Sequence, residues 1–340
     1  MSNCCKTTTA TTTATTKLTI ALCGNPNSGK TTLFNTLTGS NQKVGNWPGV
    51  TVEQKLGTYK KDNSVAIVDT PGIYSLSPFT IDEQVAHNYL MEGKPDLVIN
   101  IVDSTNLERN LFLTSQLMEL DVPVVVALNM QDEAKAKGIH INKDMLEEYF
   151  GCAFFAISAS KNQGIDELMA YCIAGAYQSK NHFVYNDQVE SAIATLLPLA
   201  EKADNKRWVS LKLAEKDKTI IKMLNLDESQ KQLVITTHNN LKTQLLDIVS
   251  AQIAEQRYEQ IADIVKKAQH IDTTGIKAEK AQTITEKIDK IVLNKWLAFP
   301  IFALIMSLVF VVSIGTLGGF LTDTIKGLDD FELICFLVIR

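Results

Sequence analysis

Apolar positions along the chain fall into two regimes. In the first half, short continuous apolar runs alternate with stretches of helical period. Leu18-Thr19-Ile20-Ala21-Leu22-Cys23, Leu97 to Val102 and Val122 to Leu128 are runs of the kind expected for parallel strands covered on both faces. Two shorter strands are predicted at Leu56 to Tyr59 and Val65 to Val68, with polar Lys60-Lys61-Asp62-Asn63 as their turn, and Ala153 to Ile157 gives a last one. Thr31 to Leu37, Leu111 to Leu120 and Ile165 to Ala174 read as helices, and Gly39 to Gly49, rich in Gly and Asn, reads as a flexible loop. Strands alternating with helices predict a doubly wound parallel α/β sheet over residues 17–178, with its ligand at the carboxyl ends of the strands. Beyond it the pattern is helical only. Leu241, Leu245, Ile248 and Val249 share a face, as do Tyr258, Ile261 and Val265, which predicts a small all-α domain over 185–270.

Composition changes this picture at the two ends. Residues 1–16 are a low-complexity Thr/Ala tail with almost nothing to bury, and disorder is expected there. Residues 271–295 read as a Lys/Thr/Gln-rich linker. The run from Trp296 to Thr322 then carries no charged residue, longer than the roughly 20 residues that a membrane-spanning helix requires. Lys287, Lys290 and Lys295 on its N-terminal side favour a cytoplasmic position for the domains before it. Phe331 to Ile339 is too short to cross and is interrupted at its start by Glu332, so residues 323–340 read as a truncated end. A net charge of −5 gives no basic footprint for nucleic acid. The six cysteines show neither metal-ligand spacing nor a disulfide framework, as expected for a reducing compartment, and Cys23 reads as a small core hydrophobe.

Between the first strand and the first helix stands Gly24-Asn25-Pro26-Asn27-Ser28-Gly29-Lys30-Thr31, the pattern G-x-x-x-x-G-K-[ST]. A loop that holds a polyphosphate must aim several backbone N–H groups at it. Glycines permit the close approach, Lys30 adds a mobile positive charge, and the Thr31 hydroxyl is placed to ligate Mg²⁺. The helix beyond the loop directs its N-terminus at the phosphates. Asn129-Met130-Gln131-Asp132 comes directly after an apolar strand, where the Asp132 carboxylate can accept two hydrogen bonds from the N1–H and exocyclic amine of guanine. Asn129 can bond both the guanine edge and the phosphate loop. Ser158-Ala159-Ser160, after another strand, can present backbone N–H groups to the guanine oxygen. Asp69 ends a strand three residues before Gly72, so that it can hold Mg²⁺ through water while the Gly72 N–H turns to the γ-phosphate. Thr51, on the loop before the second strand, can complete the Mg²⁺ shell only when that phosphate is present, which makes the loop a switch. Thr32, Gly49, Val50, Thr70 and Pro71 complete the candidate nucleotide-binding set.

These elements resemble those of the translation-factor-like GTPases. Three stretches narrow the resemblance to the FeoB-type ferrous iron transport proteins: the phosphate loop itself, Val44-Gly45-Asn46-Trp47-Pro48-Gly49-Val50-Thr51-Val52-Glu53, and Asp69-Thr70-Pro71-Gly72-Ile73-Tyr74-Ser75-Leu76. Arg257-Tyr258 and Leu297-Ala298-Phe299-Pro300-Ile301-Phe302 are similar to the same family. The resemblance implies a P-loop GTPase domain, a helical spacer that influences how tightly GDP is held, and a membrane domain that carries Fe²⁺. It places the chain in the inner membrane of a bacterium with the GTPase domain facing the cytoplasm. GTP or GDP and Mg²⁺ are the expected cofactors. The expected partners are the lipid bilayer, a small cytoplasmic iron-transport accessory protein and further copies of the chain. Ile73 stands where many GTPases carry a catalytic Gln, and none of the four arginines lies in a switch loop. The resemblance suggests that K⁺ substitutes, with Asn27 and the carbonyls near Gly45 and Trp47 as ligands, so Asn27, Lys30, Thr51 and Gly72 are the candidate catalytic residues. Met130 replaces the usual lysine of N-K-x-D. The rival expectation is a soluble ribosome-assembly or tRNA-modification GTPase, which predicts a basic RNA-binding appendage.

Overall fold

The computed structural model describes residues 18–77, 80–120, 122–177, 183–203, 205–245, 248–272 and 298–313. The tail expected to be disordered, the expected linker beyond Asp272 and the end of the chain lie outside them. At the centre is β1 (Leu18–Gly24), whose residues Ile20 to Cys23 are fully buried. It pairs in parallel with β4 (Asp62–Asp69) on one side and β5 (Leu97–Asp103) on the other. Beyond β5 come β6 (Val124–Asn129) and β8 (Phe154–Ala156), also parallel. Antiparallel to β4 runs β3 (Glu53–Tyr59), and β2 (Gln42–Asn46) forms the edge, giving the order β2-β3-β4-β1-β5-β6-β8.

Continuous apolar runs become strands here because helices cover both faces. Ile20 and Leu22 face Leu33, Phe34 and Leu37 of α1 (Lys30–Thr38) and Leu168, Met169 and Cys172 of α6 (Ile165–Ala174). Ala21 and Cys23 point the other way, into the cluster built on α2 (Ile81–Glu92) and α3 (Leu107–Leu117). This places the carboxyl ends of β1, β4 and β6 at one rim, where the phosphate loop and Asn129 lie.

Several elements differ from the sequence expectation. Gly39 to Gly49 is not a flexible loop throughout, since Gln42 to Asn46 is a strand with every residue exposed. A solvated edge strand has no apolar alternation to reveal it. Strands β3 and β4 run several residues longer than their apolar cores because polar residues continue the ladder. Helix α2 is not among the expected elements, although Thr80 and Glu83 form a full capping box at its start. The short α4 (Gln131–Ala136), β7 (Ile139–Ile141) and α5 (Lys143–Phe150) fall below the length at which periodicity is readable.

The second half is helical as expected: α7 (Asp187–Leu196), a 3₁₀ turn at Leu197–Ala200, α8 (Lys206–Ala214), α9 (Lys218–Met223), α10 (Glu228–Leu245) and α11 (Val249–Ala268). It does not end in helix, however. In β9 (Gln269–Ile271) the chain returns to pair antiparallel with β7, so Ile271, expected to open the linker, is still in a ribbon. Helix α11 also lies against α3. Phe112 stacks on Tyr258 with ring centroids 4.4 Å apart. Arg257 reaches Glu119 Oε2 at 2.6 Å and Ser115 Oγ at 3.2 Å, while the Tyr185 hydroxyl donates to Glu119 Oε1 at 2.6 Å. A buried charge pair is tolerated only with such additional hydrogen bonds.

In the part of the chain beyond residue 273 the described residues are 298–313, most of them in α12 (Ala298–Phe310), an apolar helix of 13 residues with Phe299, Phe302, Leu304 and Leu308 exposed. Among the described residues no helix is long and apolar enough to cross a membrane. The full span expected over 296–322 is therefore not present among them.

Candidate functional site

The phosphate loop leaves the end of β1 and enters α1 through two left-handed residues, Asn27 at φ 64° and Gly29 at φ 87°. Gly29 is required twice over. Its φ is costly for a side chain, and an added Cβ would strike the Asn129 amide nitrogen. Asn25 and Ser28 are buried, and Asn25 Oδ1 and Ser28 Oγ have no hydrogen-bond partner in the described residues. Buried polar atoms of this kind are rare, and water, an ion or a ligand can complete their bonding. Lys30 is buried and its Nζ lies 2.6 Å from Asp69 Oδ1, so the loop lysine and the β4 carboxylate meet at one point. Pro26, Asn27, Thr31 and Thr32 are exposed along the mouth of the loop. The oxygen donors of Thr31 and Asp69 suit a hard cation such as Mg²⁺.

Asn129, 2 % exposed, spans three elements from the end of β6. Its amide donates to the Ser28 carbonyl at 2.9 Å, and its oxygen accepts the Ala159 N–H at 2.9 Å. The phosphate loop and the loop after β8 are thus held by one side chain. The Ala159 N–H, expected to face the base oxygen, is engaged by Asn129 instead. Met130 sits in the left-handed region at φ 60°, and its Cε comes within 3.8 Å of where a Gly29 Cβ would be. Strain at a non-glycine residue is often found where function fixes the backbone. Gln131 Nε2 donates to Ser104 Oγ at 2.9 Å, which braces the start of α4. Asp132 accepts from Ser158 Oγ at 2.9 Å and pairs with Lys161 Nζ at 3.1 Å. Lys161, and then Ser158, hold its carboxyl below the usual range, so it is an ionised acceptor at neutral pH. Lys161 is not among the residues expected from sequence. It supplies positive charge near Asp132, where Met130 supplies none. Ser160 Oγ lies 3.3 Å from Ser158 Oγ.

The two candidate switch segments are held differently. Thr51 and Gly49 are exposed, while Val50 and Val52 pack against Trp47, Val68 and Val85. Thr51 is not part of that packed cluster. The Trp47 carbonyl accepts the Val50 N–H at 3.2 Å, and Gly45 is paired with Gln54 in the β2–β3 ladder. On the other segment Thr70 is tied to the Leu22 carbonyl at 2.8 Å, and an added Cβ at Gly72 would stand 3.1 Å from Pro26 Cα. A side chain at Gly72 would press on the phosphate loop, which would have to give by a few tenths of an ångström. Ile73 is 1 % exposed and its N–H donates to the Gly24 carbonyl, so no side chain there can orient a water. Helix α3 clasps the next residues of the segment. Gln116 Oε1 accepts the Leu76 N–H at 2.7 Å and its amide donates to Ser75 Oγ at 3.1 Å. Arg109, in α3, lies over the Tyr74 ring at 4.3 Å. Cys23 beneath the loop is a structural thiol: burial pushes it up to about 11.

Comparison with known proteins agrees with this geometry. A family model described as "Ferrous iron transport protein B" matches residues 18–172, and one described as "FeoB cytosolic helical domain" matches residues 185–270. The Fe(2+) transporter FeoB of Escherichia coli (strain K12) is 39% identical over 320 residues, covering 89% of this chain and 39% of that protein. That of Salmonella typhimurium is 40% identical over 316 residues with the same coverages. The chain thus spans 39% of the length of these curated relatives. Among solved structures, a mutant NFeoB of S. thermophilus bound to GDP superposes with a TM-score of 0.71 at 39% identity, covering 74% of this chain and 100% of that one. The S. thermophilus NFeoB bound to GDP.AlF4- and K+ gives 0.67 at 39% identity, covering 73% and 99%. With both family models in chain order on the two domains just described, and a solved relative matched end to end, this chain belongs to the ferrous iron transport protein B family.

Proposed function

We propose that this chain binds GTP with Mg²⁺, hydrolyses it to GDP and phosphate with the help of K⁺, and acts as the cytoplasmic nucleotide-operated part of a bacterial inner-membrane ferrous iron transporter. The observation that carries the reading is the Asn129 bridge beside an ionised Asp132. Together they build an edge of acceptors and donors complementary to guanine and fasten it to the phosphate loop. In this reading Gly24 to Thr32 cradle the phosphates, with Asn25 and Ser28 satisfied on binding. Lys30 leaves Asp69 for the phosphate oxygens. Thr31 and Asp69 would hold Mg²⁺, whose charge would offset that developing on the phosphates. Thr51 closes in from its exposed position together with Gly49 and Val50, and Thr70, Pro71 and Gly72 present the Gly72 N–H to the γ-phosphate.

Three further features support the finer parts of the proposal. The buried Ile73 leaves the usual water-positioning place without a polar group, so charge stabilisation falls to Asn27 and a monovalent cation. A relative solved with GDP.AlF4- and K+ agrees with that role. The chain of contacts from Arg257 through α3 to Tyr74, Ser75 and Leu76 gives the helical domain a route to the switch segment, and hence an influence on GDP release. The uncharged run over 296–322, of which α12 is part, is proposed as a membrane segment, with Fe²⁺ as the transported substrate of the longer protein. An accessory protein and self-association remain proposed partners. The RNA-linked alternative is not favoured, because residues 185–270 match the FeoB cytosolic helical domain rather than a basic appendage. GTP turnover in matched KCl and NaCl tests the cation. The rate is expected to be on the order of tenfold or more higher in KCl, with the difference lost in Asn27→Ala. Equal rates of the unmodified chain in the two salts would contradict it.

A further inference from the structure

The two-stranded ribbon of β7 and β9 joins parts of the chain that are far apart in sequence, and its register sets two histidines face to face. Ile139, His140 and Ile141 pair with Ile271, His270 and Gln269. The register is fixed by backbone bonds on either side, Asn142 N–H to the Ala268 carbonyl at 2.8 Å and Asp272 N–H to the Gly138 carbonyl at 2.9 Å. It is fixed also by side-chain alternation. Ile139 is buried and Ile141 packs on the core, which turns His140 and His270 to the opposite face, where both are exposed. Neither imidazole has a hydrogen-bond partner among the described residues.

Residues directly opposite in an antiparallel pair hold their Cβ atoms about 4.5–5.5 Å apart. Two imidazoles on such a base can converge on one ion at the roughly 2.0–2.1 Å nitrogen–metal distance. No group of three His, Cys, Asp or Glu side chains among the described residues is assembled for a metal. The site is therefore a two-imidazole one, with water in the remaining positions.

We infer that His140 and His270 form a binding site for a divalent transition-metal ion of the imidazole-seeking class, Ni²⁺, Cu²⁺ or Zn²⁺, with Fe²⁺ bound more weakly and Mg²⁺ not at all. Its place gives it a consequence. His140 lies just after α4, which begins at Gln131 of the base-reading loop, and His270 comes after α11, the last helix of the helical domain. A bound ion clasps the exit of the helical domain to the segment behind the base-reading loop. The site stands independently of the nucleotide reading.

The test is calorimetric titration of the full chain with NiCl₂ at neutral pH, under reducing conditions that do not chelate nickel. His140→Ala, His270→Ala and, as a control, His238→Ala are compared. One equivalent is expected to bind the parent chain and the control, and to weaken by more than about tenfold in each ribbon variant. Nickel is expected to raise the melting temperature only where both ribbon histidines are present, because an ion bound to the native ribbon alone stabilises it. Both ribbon variants keep the parent melting temperature without metal, since the rings are exposed. Titrations unchanged in either ribbon variant, or no one-equivalent binding by the parent, would overturn the site.

Discussion

Asn129→Ala is expected to weaken GTP binding by roughly 10²–10⁴-fold while the protein stays folded. The side chain makes two buried hydrogen bonds, one to the phosphate loop and one to the loop after β8. Truncation leaves the Ser28 carbonyl and the Ala159 N–H buried without a partner, at a cost of about 1–3 kcal/mol each. Part of that cost is relieved by loop movement, which separates the phosphate loop from the base-reading loop. An affinity is then lost in proportion, at about 1.4 kcal/mol per factor of ten. Fluorescent-nucleotide titration reads the loss, and far-ultraviolet circular dichroism reports the fold. A variant that bound GTP within threefold of the parent would show that the bridge is not what joins the two loops.

Arg257→Ala is expected to lower stability by about 3–5 kcal/mol, because it strands Glu119, 1 % exposed, as an uncompensated buried charge. Tyr185 does not relieve it, because ionising would add a second negative charge beside the first. Burial first, and then the charge of Glu119, push its hydroxyl far above the usual tyrosine range, so it stays a neutral donor. Replacing both partners, as in Arg257→Met with Glu119→Leu, is expected to recover most of the loss, since a buried ion pair contributes little net stability over a packed apolar one. Urea unfolding of the two variants against the parent measures this. Equal destabilisation by the single and double replacements would mean that packing, not charge, is at stake. The same contacts predict faster GDP release in the single variant, because α3 also holds Ser75 and Leu76.

The parts of this molecule that can be read in advance are those in which one physical demand acts on consecutive residues. Burial on both faces makes Leu97 to Val102 apolar throughout, and a phosphate cradle needs glycine and lysine at fixed spacing. The base recognition proposed here needs Asn129 and Asp132 at the end of a strand. The parts that are not legible depend on residues brought together from a distance. β2 is polar because it is an edge. Lys161 reaches Asp132 only once the loop after β8 folds back. Glu119 and Arg257 are 138 positions apart, and each alone resembles an ordinary surface charge. The capping box is present in Thr80-Ile81-Asp82-Glu83, but α2 has no apolar stripe strong enough to mark it as a helix. The pairing of His140 with His270 depends on a register that only the closed ribbon defines.

In the proposed function guanine selectivity rests on Asp132 reading the base, and an exchange of hydrogen-bonding sense tests it most directly. In Asp132→Asn the acceptor that meets the N1–H and exocyclic amine of guanine becomes an amide, which can donate to the 2-oxo group of xanthine. Titration with GTP and with XTP is expected to show GTP affinity falling roughly a hundredfold or more, and XTP affinity rising to approach that of the parent for GTP. GTP bound equally well by parent and variant, with XTP still rejected by both, would contradict the assignment of this site to guanine.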